Sequence, residues 1–131
     1  MRIAVWVISG LLALYFLFVG SSKAFVSWES LEALSLGVPV ILLKIAGFAE
    51  IAGAIGLIVP AATRVLPILT PIAAIGLVGT MIGATAINIG LGQPSVAATT
   101  GLAGLLSAFV AWARLAGPAK VTPRAPATPA A

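Results

Sequence analysis

The sequence predicts an all-α membrane protein, a transmembrane bundle of four helices. Three observations lead to this fold class. Of the 131 residues, 61% are hydrophobic and 8% are charged. The apolar residues form four stretches of about 20 residues, the length that crosses a bilayer as a helix. Short links join them, which makes neighbouring helices antiparallel. A soluble domain of this size could not bury so much apolar surface.

The four expected spans cover about residues 3–25, 38–62, 65–88 and 94–115, and they form one domain over residues 1–116. The first span follows Arg2 and exceeds the ~7–15-residue core of a signal peptide, so we interpret it as a retained helix. A polar link at 27–32 precedes the second span. In the third span, Pro67 suits the first turn and Pro71 predicts a kink. The Pro/Ala-rich residues 117–131 predict a flexible cytoplasmic tail.

The cations predict the orientation of the bundle. Glu29 and Glu32 fall on one side, with Lys23 at its edge, and most of the cations fall on the other. The positive-inside rule therefore predicts cytoplasmic termini in a bacterial-type cytoplasmic (inner) membrane. Trp6 and Trp112 would then lie at the inner interface. The cations on the side of the termini are Arg2, Arg64, Arg114, Lys120 and Arg124.

Small residues recur at helical spacing in the third and fourth spans. The third span contains the pair Gly79 and Gly83 four residues apart, and the fourth contains Gly101 and Gly104. Such stripes let helix backbones approach closely in membranes. The pattern predicts that these glycines are helix-packing positions.

Composition excludes several kinds of chemistry. The chain has no His and no Cys. It therefore lacks the usual ligands of zinc, haem and iron–sulfur centres, and it has no Ser–His–Asp or Cys–His set. No basic helix interleaved with aromatic residues is present, so nucleic acid is not an expected partner. We predict no metal site, no catalytic residue and no intrinsic cofactor.

Five polar residues form the candidate intramembrane site: Glu50, Lys44, Lys23, Tyr15 and Asn88. A carboxylate at bilayer depth costs about 2.5 kcal/mol or more unless it is paired, protonated or hydrated. Tyr15 and Glu50 each lie about 18 Å along their spans, so they can face each other. Lys23 is one to two turns nearer the outer surface, and its direct bond to Glu50 requires an inward bend or a water. Lys44 could approach the same cleft or extend its amine to the surface.

Asn88, Gln93, Ser21 and Ser22 add polar groups at the outer end of this cleft. Three roles for Glu50 stay open at this point. It could be a structural polar link between helices, a group that handles a ligand or a proton, or a contact to a partner protein.

Two segments resemble a known family. Residues 17–25, LFVGSSKAF, resemble its G-x-x-K ending of the first helix, although Ala24 follows the lysine. Residues 47–60, GFAEIAGAIGLIVP, resemble its E-[LI]-x-G-[AG]-x-x-L stretch. The chain is thus similar to the DoxX-like family of small four-helix membrane proteins. The resemblance implies a four-helix integral membrane fold with Lys23 and Glu50 as characteristic polar positions. The family takes its name from a subunit of a quinone-reducing thiosulfate oxidation complex, and the resemblance implies no catalytic role.

The leading functional hypothesis is a non-catalytic membrane protein. It would bind a small lipophilic molecule or a partner membrane protein, as an accessory subunit beside a redox enzyme. The alternatives are a quinone-linked oxidoreductase subunit, with quinone as the ligand, and a small-molecule carrier or channel formed by a homo-oligomer. The lipid bilayer is the expected surrounding in each case.

Overall fold

The computed structural model describes residues 1–117 and 122–123, and within them it contains five helices and no strand. Four of the helices are long and apolar enough to cross a membrane. The predicted all-α, four-helix fold is confirmed. The helices are α1 (Arg2–Ala24), α2 (Trp28–Leu34), α3 (Val40–Thr63), α4 (Leu69–Gly90) and α5 (Pro94–Leu115).

Helix α2 lies where the sequence suggested only a polar link. The Ser27 hydroxyl accepts a hydrogen bond from the backbone N–H of Ser30 at 3.3 Å and so caps the first turn. Trp28 and Glu29 are exposed on this helix. A short helix at this place lies beside the C-terminal end of α1. We call this end of the bundle the Lys23 end and the opposite end the termini end.

The start of α4 differs from the sequence prediction. The helix begins at Leu69, so Pro67 precedes it instead of occupying its first turn. Pro71 is the third residue of the helix and so lies in its first turn. The N–H groups of a first helical turn have no partner within the helix, so a proline at that position removes no hydrogen bond.

Helices α1 and α3 form one closely packed pair. A Cβ added to Gly20 would lie 2.7 Å from the carbonyl oxygen of Gly47. A Cβ added to Gly47 would lie 2.8 Å from the carbonyl oxygen of Gly20. The two backbones approach at these positions because neither residue has a side chain.

Helices α4 and α5 form the second pair. A Cβ added to Gly104 would lie 3.1 Å from the Cβ of Met81. The hydroxyls of Thr85 and Thr100 are hydrogen-bonded at 2.8 Å. A short turn, in which Gly92 adopts φ +70°, joins these two helices at the Lys23 end. Glycine adopts this conformation without the steric cost that a Cβ would bring.

The two pairs join mainly between α3 and α4, toward the termini end. There the side chain of Leu77 lies against Gly53, and Ala73 lies against Gly56. The α1–α5 seam is the sparsest of the four seams between neighbouring spans. The shared core contains Leu12, Phe16, Leu57, Leu77, Met81 and Val110.

The glycines of α4 do not pack as the sequence predicted. A Cβ added to Gly76, Gly79 or Gly83 would meet no other described atom within 4 Å, apart from the local backbone of the helix. All three residues are exposed. The prediction that Gly79 and Gly83 are helix contacts is therefore wrong, whereas Gly104 does contact its neighbour.

The predicted flexible tail, residues 117–131, lies largely outside the described residues. Within the described part, the Arg64 guanidinium donates hydrogen bonds to the carbonyl oxygen and hydroxyl of Thr122, each at 3.0 Å. Arg64 itself has φ 57° at the end of α3. Residues 122–123 thus lie beside the loop between α3 and α4.

A cavity beside a buried ion pair

A buried ion pair connects α1 and α3. The ammonium of Lys23 donates a hydrogen bond to Oε1 of Glu50 at 2.8 Å. The Glu50 side chain is 0% exposed, whereas that of Lys23 is 24% exposed. This distance is typical of a charge-assisted hydrogen bond. The second carboxylate oxygen, Oε2, is buried and accepts no hydrogen bond from the described residues.

The glycine contact between α1 and α3 places the two charges within reach. Gly20 lies one turn before Lys23, and Gly47 lies one turn before Glu50. Close approach of the backbones at these glycines lets the lysine chain cross directly to the carboxylate. The inward bend that the sequence required for a direct bond is therefore short, and no bridging water is needed.

A cavity of about 620 Å³ extends from Glu50 toward the Lys23 end. All four long helices contribute to its wall. Most of the lining is apolar, and a few polar side chains face it. The polar lining residues are Tyr15, Lys23, Ser35, Glu50, Thr80, Asn88, Gln93 and Thr100. An apolar cavity with few polar groups is typical of sites that bind small molecules.

The structure separates Lys44 from the other candidate residues. Its ammonium donates hydrogen bonds to the carbonyl oxygens of Ala24 at 3.1 Å and Val26 at 2.5 Å. Ala24 is the last residue of α1, where helical carbonyls lack partners within the helix, and Val26 follows two residues later. Lys44 therefore satisfies the end of α1, and it does not line the cavity.

Tyr15 and Asn88 lie on opposite pairs of helices and face the same cavity. The ring of Tyr15 stacks edge-on against Phe16, with centroids 5.2 Å apart. The amide nitrogen of Asn88 donates to the carbonyl oxygen of Ala84 at 2.8 Å. Both side chains are held in place by contacts on their own helices. Four of the five candidate residues thus surround one space: Tyr15, Lys23, Glu50 and Asn88.

Several cavity residues were not among the sequence candidates. Ser35 and Thr100 line the cavity, as do Gly79 and Gly83. The two glycines have a visible signal, their four-residue spacing, but that signal was interpreted as helix packing. Ser22, a sequence candidate for the outer end, is exposed, and its hydroxyl donates to the carbonyl oxygen of Val19 at 2.7 Å.

The cavity lining carries few ionisable groups. Glu50 is the one carboxylate among the cavity-lining residues. The described residues contain no group of three or more His, Cys, Asp or Glu that could hold a metal ion. Glu50 lines the cavity with Oε2 buried and without a described partner, and the remaining hydrogens of the Lys23 ammonium can donate.

Comparison with families of known proteins identifies the chain. The model of the DoxX-like family matches residues 7–122, and this range contains the four long helices almost completely. The protein belongs to the DoxX-like family. The resemblance seen in the sequence is confirmed, and so is its implication of a four-helix membrane protein.

In this DoxX-like protein, Lys23 and Glu50 both lie inside the matched range. Comparisons with curated proteins and with solved structures each found no match.

Proposed function

We propose that this DoxX-like protein binds a small lipophilic molecule that carries a hydrogen-bond donor. The observation that carries the proposal is Glu50, a cavity-lining residue whose Oε2 atom is buried without a donor from the described residues. A buried acceptor that lacks a hydrogen bond costs about 1–3 kcal/mol of stability, and more if the group is charged. The Glu50 side chain is 0% exposed, so a ligand hydroxyl or amine reaches Oε2 after a small movement of the side chain and then removes this cost.

The composition of the wall supports a lipophilic ligand. The lining residues between the polar groups are aliphatic, and they come from helices that face the hydrocarbon of the bilayer. The cavity volume of about 620 Å³ lies in the range of small-molecule sites, roughly 300–1,000 Å³. The ligand we propose thus has an apolar body and one polar end.

A matched pair of probes tests the donor requirement. Para-octylphenol donates a hydrogen bond through its hydroxyl, whereas its methyl ether, para-octylanisole, only accepts. We expect the phenol to bind the purified protein in lipid nanodiscs roughly tenfold more tightly, because a hydrogen bond to a charged group contributes about 1.5–3 kcal/mol. Native mass spectrometry counts both complexes. Equal binding of the two probes would contradict the donor requirement.

The Glu50→Gln variant provides the matched control on the protein side. Lys23 donates, so it keeps the amide oxygen of glutamine facing it, and the amide N–H₂ then occupies the place of Oε2. The site changes from acceptor to donor. We expect the preference for the phenol to be lost or reversed in this variant. An unchanged preference would place the ligand away from Glu50.

A quinone-linked subunit is the second candidate, favoured by the same atom. The hydroxyls of a quinol donate hydrogen bonds, whereas the carbonyls of a quinone only accept. The free acceptor therefore fits the reduced form better. Such a role requires a redox partner, and co-purification of the protein with an oxidoreductase and a quinol would support it over simple binding.

We further propose that the protein lies in a bacterial-type cytoplasmic membrane with both termini in the cytoplasm. The distribution of cations supports this, since Arg2, Arg64 and Arg114 fall at the termini end. Positively charged residues are enriched on the cytoplasmic side of membrane proteins.

A further inference from the structure

We propose that the ligand reaches the cavity sideways from the bilayer, through an opening between α3 and α4 at the Lys23 end. This inference rests on the proposed binding function and names the ligand class as molecules dissolved in the membrane. The α3–α4 opening is defined by residues that line the cavity on these two helices: Leu42, Ile45 and Ala46 on α3, and Gly79, Gly83 and Ile87 on α4.

The opening arises because α3 and α4 separate toward the Lys23 end. Near the termini end they are in close contact, where a Cβ on Gly53 would lie 2.6 Å from Leu77 and one on Gly56 would lie 2.6 Å from Ala73. The loop between them, from Arg64 to Ile68, also holds them together there. Toward the Lys23 end, α3 packs on α1 and α4 packs on α5 instead.

Exposure of the lining residues shows where the cavity reaches the surface of the bundle. Leu42, Ile45 and Ile87 line the cavity and are 53%, 58% and 43% exposed. Gly79 and Gly83 are exposed as well. Side chains that border both the cavity and the surroundings mark its mouth. In a bilayer this mouth faces hydrocarbon, since these residues are apolar and lie on membrane-spanning helices.

The glycines of α4 place no side chain in the opening. A Cβ at Gly79 or Gly83 would meet no other described atom within 4 Å, apart from the local helix backbone, so close packing does not account for them. The second observation that points to a ligand is Glu50, whose buried Oε2 lacks a described partner in the same cavity. An opening to which Gly79 and Gly83 contribute no side chain thus leads from the bilayer toward a residue with an unpaired acceptor atom.

A second seam offers a weaker route. The groove between α1 and α5 has a volume of about 210 Å³ and meets the cavity at Tyr15. Its floor includes Leu12 and Ala103, which are buried in the core. Tyr15 stacks against Phe16 and lines both the groove and the cavity, so it lies where the two meet. Glycines border the α3–α4 opening instead.

A leucine series tests the route with a control on the same helix. Gly79→Leu and Gly83→Leu place a side chain in the opening. Gly76→Leu places one nearer the termini end, at a residue that is also exposed and free of close contacts but does not line the cavity. We expect Gly83→Leu to slow the association of para-octylphenol in nanodiscs roughly tenfold, equal to about 1.4 kcal/mol of added barrier. Gly76→Leu should associate at the wild-type rate.

A cross-link separates the route from the site itself. The chain has no cysteine, so a pair introduced as Ala46→Cys and Gly83→Cys reacts specifically with a short bifunctional thiol reagent. Cross-linking before loading should prevent uptake of the phenol, and cross-linking after loading should trap it. A control pair, Ile55→Cys with Ile72→Cys, bridges α3 and α4 nearer the termini end. Its cross-link should neither prevent uptake of the phenol nor trap it.

The outcomes distinguish the two proposals. One outcome is that the wild-type protein binds the phenol while the cross-link between the cysteines at positions 46 and 83 changes neither uptake nor release. That result would overturn the route and leave the proposed function standing. Failure of the wild-type protein to bind the phenol would overturn both.

Discussion

At the scale of single residues, the Lys23–Glu50 pair is asymmetric. Glu50 is completely buried, whereas Lys23 is partly exposed and lies near the end of its helix. A long cationic side chain near a helix end can extend to the interface, but a carboxylate at the level of Glu50 has no such alternative. The two residues therefore depend on the bond to different degrees.

This asymmetry predicts the ranking of two substitutions. Lys23→Met leaves a buried carboxylate unpaired, and breaking a buried pair this way costs about 3–5 kcal/mol. Glu50→Gln removes the buried charge and leaves a lysine that can extend outward, so we expect a loss below roughly 1.5 kcal/mol. Unfolding of the protein in mixed micelles with increasing sodium dodecyl sulfate measures both free energies.

The double variant Lys23→Met/Glu50→Gln serves as the control. It should recover most of the stability that Lys23→Met loses, because no buried charge is left uncompensated. If Lys23→Met were as stable as Glu50→Gln, the carboxylate would have another partner or would be protonated in the membrane.

The candidate residues could be named from the sequence, but their pairing could not. Glu50 stands out because a carboxylate is rare in an apolar stretch. Its direct bond to Lys23 depends on how closely α1 and α3 approach, which two single spans do not reveal. The role of Lys44 was similarly hidden, since the carbonyls of Ala24 and Val26 become its acceptors only when α3 packs against the end of α1.

At the scale of elements, glycines on the membrane-spanning helices have two different roles in this protein. Gly20 and Gly47 have backbones in contact, whereas Gly79 and Gly83 border open space. A stripe of small residues only removes side chains from a helix face. Whether another helix or a cavity occupies that space is decided by the packing of the whole bundle. The fold class follows from hydropathy alone, but this distinction does not.

Alanine substitutions should separate the two kinds of glycine. In Gly20→Ala, the new Cβ would lie 2.7 Å from the carbonyl oxygen of Gly47, a backbone atom. Such overpacking typically costs about 1–3 kcal/mol. In Gly76→Ala, no such contact arises, and the higher helix propensity of alanine should leave stability unchanged or slightly higher.

Thermal unfolding in a mild detergent measures both variants. Equal melting temperatures for Gly20→Ala and wild type would mean that α1 and α3 can separate at no cost. A large loss in Gly76→Ala would indicate a helix contact in the membrane that the bundle itself does not contain.

At the scale of the whole molecule, the ends of the bundle differ in charge and in packing. The termini end holds Arg2 and Arg64 and the close contact of α3 with α4. The Lys23 end holds the acidic helix α2 and the mouth of the cavity. The orientation in the membrane therefore determines which leaflet the α3–α4 opening faces.

Reporter fusions test the orientation. With cytoplasmic termini, a fusion after Ala131 should be active for a reporter that works in the cytoplasm and inactive for one that requires export. A fusion in the loop at Leu36 should show the reverse. Export of the C-terminal reporter would contradict the positive-inside argument and place the opening in the inner leaflet.

The side opening of the cavity has a consequence for selectivity. If the cavity is continuous with hydrocarbon as proposed, lipid acyl chains would fill it before any ligand arrives. Binding is then an exchange of one apolar chain for another, and lipid tails are as apolar as the aliphatic wall. Little free energy of hydrophobic transfer remains to distinguish the ligand from the surrounding lipid. Under the proposed function, discrimination would come from the few polar atoms at the base of the cavity, with the carboxylate of Glu50 foremost among them.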